Sequence, residues 1–141
     1  MIQKNNCYII TGGPGVGKTT LLEELKLRRY NYVEEVAREI IKKQIETNGN
    51  ALPWMDTRKY SDMMLIESVN DFVRLSGYED LLFFDRGIPD TYGYEKLIKL
   101  EIEDSLRNAL QEYRYNSKVF ILPPWKEIYK TDNERKQDFE E

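Results

Sequence analysis

Residues 8–20 read YIITGGPGVGKTT. An apolar stretch runs into glycines, then into a lysine and two threonines. From Gly12 to Thr19 it matches G-x-x-x-x-G-K-[ST] in full. Each residue type has a physical reason to be there. Glycines let backbone N–H groups curl around an anion without Cβ clashes. A helix starting near Lys18 aims its unpaired N–H groups and the positive end of its dipole at that anion. Lys18 is then set for the β- and γ-phosphates of a nucleotide, and Thr19 for Mg²⁺. The pattern predicts that Gly12, Gly13, Pro14, Gly15, Val16, Gly17, Lys18, Thr19 and Thr20 bind ATP, with GTP as the other option. A dinucleotide fingerprint would need a further glycine where Thr19 or Lys18 sits. The loop leaves open whether the phosphate is hydrolysed, held as a switch, or transferred.

Working outward, three short apolar runs stand out: 7–10, 81–84 and 119–122. They close on Thr-Gly-Gly, Asp-Arg-Gly and Pro-Pro. Runs that are apolar without alternation suit strands buried on both faces of a sheet. A weaker, more polar run covers 30–33. Helical spacing lies between them. Residues 18–28 put Leu21, Leu22 and Leu25 on one face, and 35–46 do the same with Val36, Ile40, Ile41 and Ile45. A long segment, 56–75, carries Tyr60, Met63, Met64, Ile66, Val69, Phe72 and Val73. A last one, 102–113, carries Ile102, Leu106, Ala109, Leu110 and Tyr113. Alternating strands and helices predict an α/β fold, a parallel sheet sandwiched between helices. Ligands in such sheets sit outside the carboxyl ends of the strands.

Those ends carry the charged residues. The run 81–84 ends in Asp85, where a phosphate-loop protein holds Mg²⁺. Arg86 follows it. A motor ATPase would show a glutamate there to activate water; an arginine suits stabilisation of a transferring phosphoryl group. Glu34 and Glu35 end the weak strand. They complement a helix dipole, or one of them accepts a proton from an incoming hydroxyl. Arg38 lies one turn beyond Glu35, and could orient it or pair with phosphate. After Pro123 and Pro124, the cations Lys126, Lys130, Arg135 and Lys136 mark either a solvated segment or a lid over 125–141 that excludes water.

Composition removes other chemistries. The chain has 141 residues, 40% hydrophobic and 33% charged, as expected for one folded domain over 1–141. Its net charge of -4 argues against a general nucleic-acid surface. With no histidine and Cys7 as the one cysteine, a disulfide framework, a Cys/His zinc site and a Ser-His-Asp triad are excluded within the chain. No apolar run approaches the length of a membrane span. The start MIQKNN does not read as a signal peptide, so the expected location is cytoplasmic.

The series TGGPGVGKTT, EEVAREII, FFDRGIPDTYGY and FILPPWKEIYKTDNER resembles a small P-loop AAA-like ATPase/kinase family. That family is related to nicotinamide riboside kinase and deoxynucleoside kinase domains. The resemblance covers essentially the whole chain. It implies a P-loop NTPase three-layer sandwich of nucleoside-kinase type, here without the usual last strand and closing helix. It also implies that Glu35 is the base and that Arg38 completes its E-x-x-R pair. Asp85 and Arg86 border metal and acceptor, Asp90 and Tyr94 lie on the acceptor side, and Arg135 is the lid arginine. The implied activity is Mg²⁺-dependent transfer of the γ-phosphoryl of ATP to a small nucleoside-like hydroxyl acceptor. That acceptor would sit between 52–73 and 87–94.

A regulatory ATP- or GTP-binding switch, or an ATPase acting with a protein or lipid partner, is the alternative. A third is an inactive scaffold. An ordinary GTPase lacks support, since no N-K-x-D stretch exists, and a transporter ATPase lacks its L-S-G-G-Q-like signature. If the chain stops at Glu141, the run 119–122 becomes an exposed edge open to self-association.

Overall fold

The structure, a computed structural model, describes residues 1–13 and 17–123. Pro14, Gly15, Val16, the lid segment 125–141 and its Arg135 lie outside the described residues. In chain order the elements are β1 (Ile2–Gln3), β2 (Cys7–Thr11), α1 (Lys18–Leu27), β3 (Asn31–Val33) and α2 (Val36–Glu46). There follow α3 (Thr57–Arg74), β4 (Leu82–Asp85), α4 (Ile88–Leu97), α5 (Asp104–Glu112), β5 (Tyr113–Arg114) and β6 (Val119–Ile121). All four expected strands are present.

They form one parallel sheet in the order β3-β4-β2-β6. The chain steps from β2 out to β3, returns to β4 between them, and then passes over β2 to β6. The winding direction therefore reverses at β2. Right-handed crossovers put α1 on one face and α2 to α5 on the other. This is the three-layer P-loop NTPase sandwich. On one face Cys7, Ile9, Leu82 and Phe84 pack with Phe72, Ile88, Leu106 and Ala109. Ring contacts run across the other: Tyr8 lies 6.0 Å from Phe83 and 5.8 Å from Phe120. A two-residue parallel pair, β1 with β5, ties the N-terminus to the end of α5. No helix among the described residues is long and apolar enough to cross a membrane.

Three expectations need correction. The run 119–122 is not buried on both faces: Ile121 is 71% exposed. Among the described residues β6 has β2 as its one neighbouring strand, so it forms an edge of the sheet. On α3, Ile66 and Val73 face outward, because the buried stripe also uses Ser61 and Ser68. Helix α4 was not foreseen; it contains Pro89 and Gly93, both poor helix formers. Proline is harmless in a first turn, where its missing N–H would have no partner. Asp90 adds a cap there, accepting the Gly87 N–H at 2.8 Å.

Helices α3 and α4 are joined by a buried charge. Glu95 is 2% exposed. It accepts from Ser61 Oγ at 2.6 Å and from Arg58 Nη1 at 3.1 Å. Arg58 also reaches Glu103 at 3.0 Å and the Glu101 carbonyl at 2.6 Å. A carboxylate this buried is tolerable only with such partners.

Candidate functional site

Lys18 is the first residue of α1, entered through Gly17 at φ 80°. That left-handed conformation suits glycine. It turns Lys18 Nζ back over the strand ends, 2.8 Å from Asp85 Oδ1 and 3.8 Å from Glu35 Oε2. The contact with Asp85 is an ion pair and not an aligned hydrogen bond; Oδ1 is buried with no donor in line among the described residues. Asp85 ends β4, and its side chain is 6% exposed. Thr19 and Thr20 stand exposed on the first turn of α1, and Gly13 is exposed before it.

Arg86 departs from the sheet at φ 66°. Its Nη1 donates to Glu35 Oε1 at 3.2 Å and its Nη2 to the Gly12 carbonyl at 2.7 Å. One residue therefore joins the root of the glycine loop to the carboxylate that precedes α2. Glu35 occupies the N-cap position of α2 but does not cap it; its carboxylate turns toward the two cations instead. A second link runs alongside: Thr11 Oγ1 donates to Asp90 Oδ1. Gly87, between Arg86 and α4, tolerates no side chain, since a Cβ would sit 2.9 Å from the Tyr115 ring.

Beyond this cluster lies a cavity of about 180 Å³. Glu35, Asp85, Arg86 and Asp90 line one end, and Tyr60, Met64, Ser68, Thr91 and Tyr94 line the rest. The Tyr60 and Tyr94 rings meet edge to face at 5.8 Å. Burial pushes the Tyr60 hydroxyl up to about 12, with Tyr94 and Glu35 adding to the rise and Arg86 opposing it. Burial raises Tyr94 as well. Both phenols are neutral at ordinary pH. A larger groove, about 760 Å³, runs between β3, α2 and α3; it shares Glu35 but reaches neither Asp85 nor Arg86.

A family model described as an AAA domain matches residues 7–141. The chain belongs to the AAA-domain family. No curated protein is significantly similar to it. As an AAA-type P-loop domain it is built to bind nucleotide, and the match does not separate a kinase from an ATPase.

In this AAA domain, Lys18, Glu35, Asp85, Arg86, Asp90 and Tyr94 come together within one site. Arg38 does not join them. It is exposed on α2 and makes no hydrogen bond or ion pair among the described residues. The cation on Glu35 is Arg86, because Glu35 turns back toward the sheet while the helix carries Arg38 outward. Trp54 and Met55, in the segment expected to stack on an acceptor, are 64% and 62% exposed and absent from the cavity lining. Thr11, which bonds to Asp90, and Ser68 and Thr91, which line the cavity, were not singled out in the sequence. Ser61 and Ser68 did carry a signal: two hydroxyls seven apart interrupt the apolar stripe of α3.

Proposed function

We propose that this domain is a Mg²⁺-ATP-dependent phosphotransferase acting on a small hydroxyl acceptor. One observation carries the reading: the Lys18–Asp85–Glu35–Arg86 cluster ends in a separate, ring-lined cavity. A site that only hydrolyses ATP needs room for water, not a second pocket walled by tyrosines. An acceptor hydroxyl in this cavity lies next to Glu35. Glu35 takes its proton while the acceptor oxygen bonds to the γ-phosphorus and the bond from that phosphorus to ADP breaks. Arg86 offsets charge on the moving phosphoryl group. The kinship to nicotinamide riboside and deoxynucleoside kinases belongs to this proposal.

Mg²⁺ fits the donor set. Asp85 Oδ1 is a buried oxygen without an aligned donor among the described residues, and Thr19 offers a hydroxyl on the first turn of α1. These two would hold the ion, which otherwise takes water and phosphate oxygens. When bound it supplies neutralisation of phosphate charge. Among the described residues no group of three His, Cys, Asp or Glu could hold a metal alone, which suits an ion that arrives with nucleotide.

The test follows γ-labelled ATP in the presence of small alcohols. Labelled product that depends on the acceptor, and disappears in Lys18→Ala and Asp85→Asn, is expected. Hydrolysis at one rate with every alcohol, together with a nucleotide-dependent change in binding to a protein or lipid partner, would favour a regulatory ATPase.

A further inference from the structure

The cavity beside Glu35 says more about the acceptor than that it bears a hydroxyl. Resting on the phosphotransferase reading, we propose that the acceptor is a compact single-ring alcohol without negative charge, smaller than a nucleoside. Two independent features lead there: the volume of the cavity and the charges around it.

Sites for drug-sized ligands and cofactors run to about 300–1,000 Å³. This cavity holds about 180 Å³. That matches one ring with a short arm and is small for a base joined to a sugar. Its walls cannot yield cheaply. Tyr60 is 6% and Met64 8% exposed, packed with Ile40 in a satellite core between α2 and α3. Thr91 is 3% exposed on α4. The edge-to-face tyrosine pair gives a flat ring two aromatic surfaces to meet.

The charges select further. Three carboxylates line the cavity, those of Glu35, Asp85 and Asp90, against one cation, Arg86. Both Nη atoms of Arg86 are already engaged, by Glu35 and by the Gly12 carbonyl. Lys18 is held by Asp85 and Glu35 and belongs to the triphosphate once nucleotide binds. An acceptor carboxylate or phosphate would thus face three carboxylates, with the buried Nε of Arg86 as the one nitrogen of that cation left unpaired among the described residues. The neighbouring groove repeats the bias, with six carboxylates, Glu39 and Glu67 among them, against three cations. A neutral ring meets no such repulsion, and a cationic ring gains attraction from the carboxylates and the tyrosine faces.

In the transfer, the acceptor oxygen forms the new bond to the γ-phosphorus, the bond to ADP breaks, and the hydroxyl proton passes to Glu35. A ring alcohol needs no other co-reactant.

The experiment uses the full chain with Mg²⁺-ATP and four probes: hydroxymethylpyridine, its N-methyl cation, hydroxymethylbenzoate and adenosine. Transfer is followed with γ-labelled ATP. Binding of the same probes is measured by calorimetry beside a non-hydrolysable ATP analogue. The neutral and cationic rings are expected to exceed the benzoate and adenosine by about tenfold or more in kcat/KM and in affinity. Equal or better use of adenosine overturns the size argument, and equal or better use of the benzoate overturns the charge argument. Binding in the expected order without transfer supports the cavity assignment and overturns the kinase reading. Absence of binding by all four overturns the cavity assignment. In that case transfer to some other, larger or anionic alcohol would leave the kinase reading standing.

Discussion

Lys18 Nζ lies 2.8 Å from Asp85 Oδ1, and both side chains are at most 10% exposed. The lysine of the glycine loop is the counter-ion of the carboxylate that ends β4. Removing one partner of a buried pair leaves the other charge stranded. Lys18→Met is expected to destabilise the fold by about 3–5 kcal/mol in urea unfolding. Adding Asp85→Asn to it should recover most of that loss. If the double variant is no more stable than Lys18→Met alone, the pair is not the source.

Arg86 combines an unfavourable backbone with two side-chain anchors. The left-handed region costs an L-residue about 1–2 kcal/mol, and Arg86 sits there at φ 66°. Arg86→Ala keeps that strain and loses both anchors; Arg86→Gly loses the anchors and the strain together. Arg86→Gly should therefore be the more stable of the two by about 1 kcal/mol, with phosphoryl transfer abolished in both. Denaturation of the two variants side by side checks the order.

Glu35 is assigned the proton. Glu35→Gln should reduce transfer by about 10²–10⁴-fold while leaving the affinity for ATP within a few-fold. A variant with full transfer activity would remove Glu35 from the chemistry.

Glu95 gives the contrasting case, because its buried charge is remote in role. Glu95→Ala deprives Arg58 and Ser61 of their shared acceptor. A loss of about 3 kcal/mol is expected in thermal or urea unfolding, with activity per folded molecule kept. Lost activity in a still-folded variant would show that the α3–α4 joint acts on the site.

At alkaline pH the phenols govern stability. Folded Tyr60 keeps its proton up to about 12, against 10.0 for an ordinary tyrosine. Between those values the folded chain binds more protons than the unfolded one. Stability is therefore full below pH 10 and falls as pH rises toward 12. Burial shifts Tyr94 and Tyr115 in the same direction. Tyr60→Phe should make the decline shallower, on the order of 2 kcal/mol, as read by unfolding at a series of pH values.

The sheet was legible because its strands are short, apolar and closed by turn formers, and the glycine loop identified which end binds phosphate. Asp85, Arg86 and Glu35 could be named since each follows a strand at that end. Their mutual pairing could not, because it depends on Gly17 and Arg86 taking left-handed backbones that bring distant residues together. Arg38 does not pair with Glu35 for the same reason: helical spacing puts it near Glu35 in sequence, yet Glu35 turns away from its own helix. Helix α4 contains the poor helix formers Pro89 and Gly93, and the hydroxyls of Thr11, Ser68 and Thr91 gain meaning only when α3, α4 and β2 converge.

The paired hooks from Arg86 to Gly12 and from Thr11 to Asp90 bind the root of the glycine loop to the wall of the tyrosine-lined cavity. On the phosphotransferase reading, those hooks give the two compartments a direct physical connection. By linkage, whatever factor an occupied loop adds to the affinity of the cavity, an occupied cavity must return to the loop. Synergy measured from one side therefore fixes its size from the other.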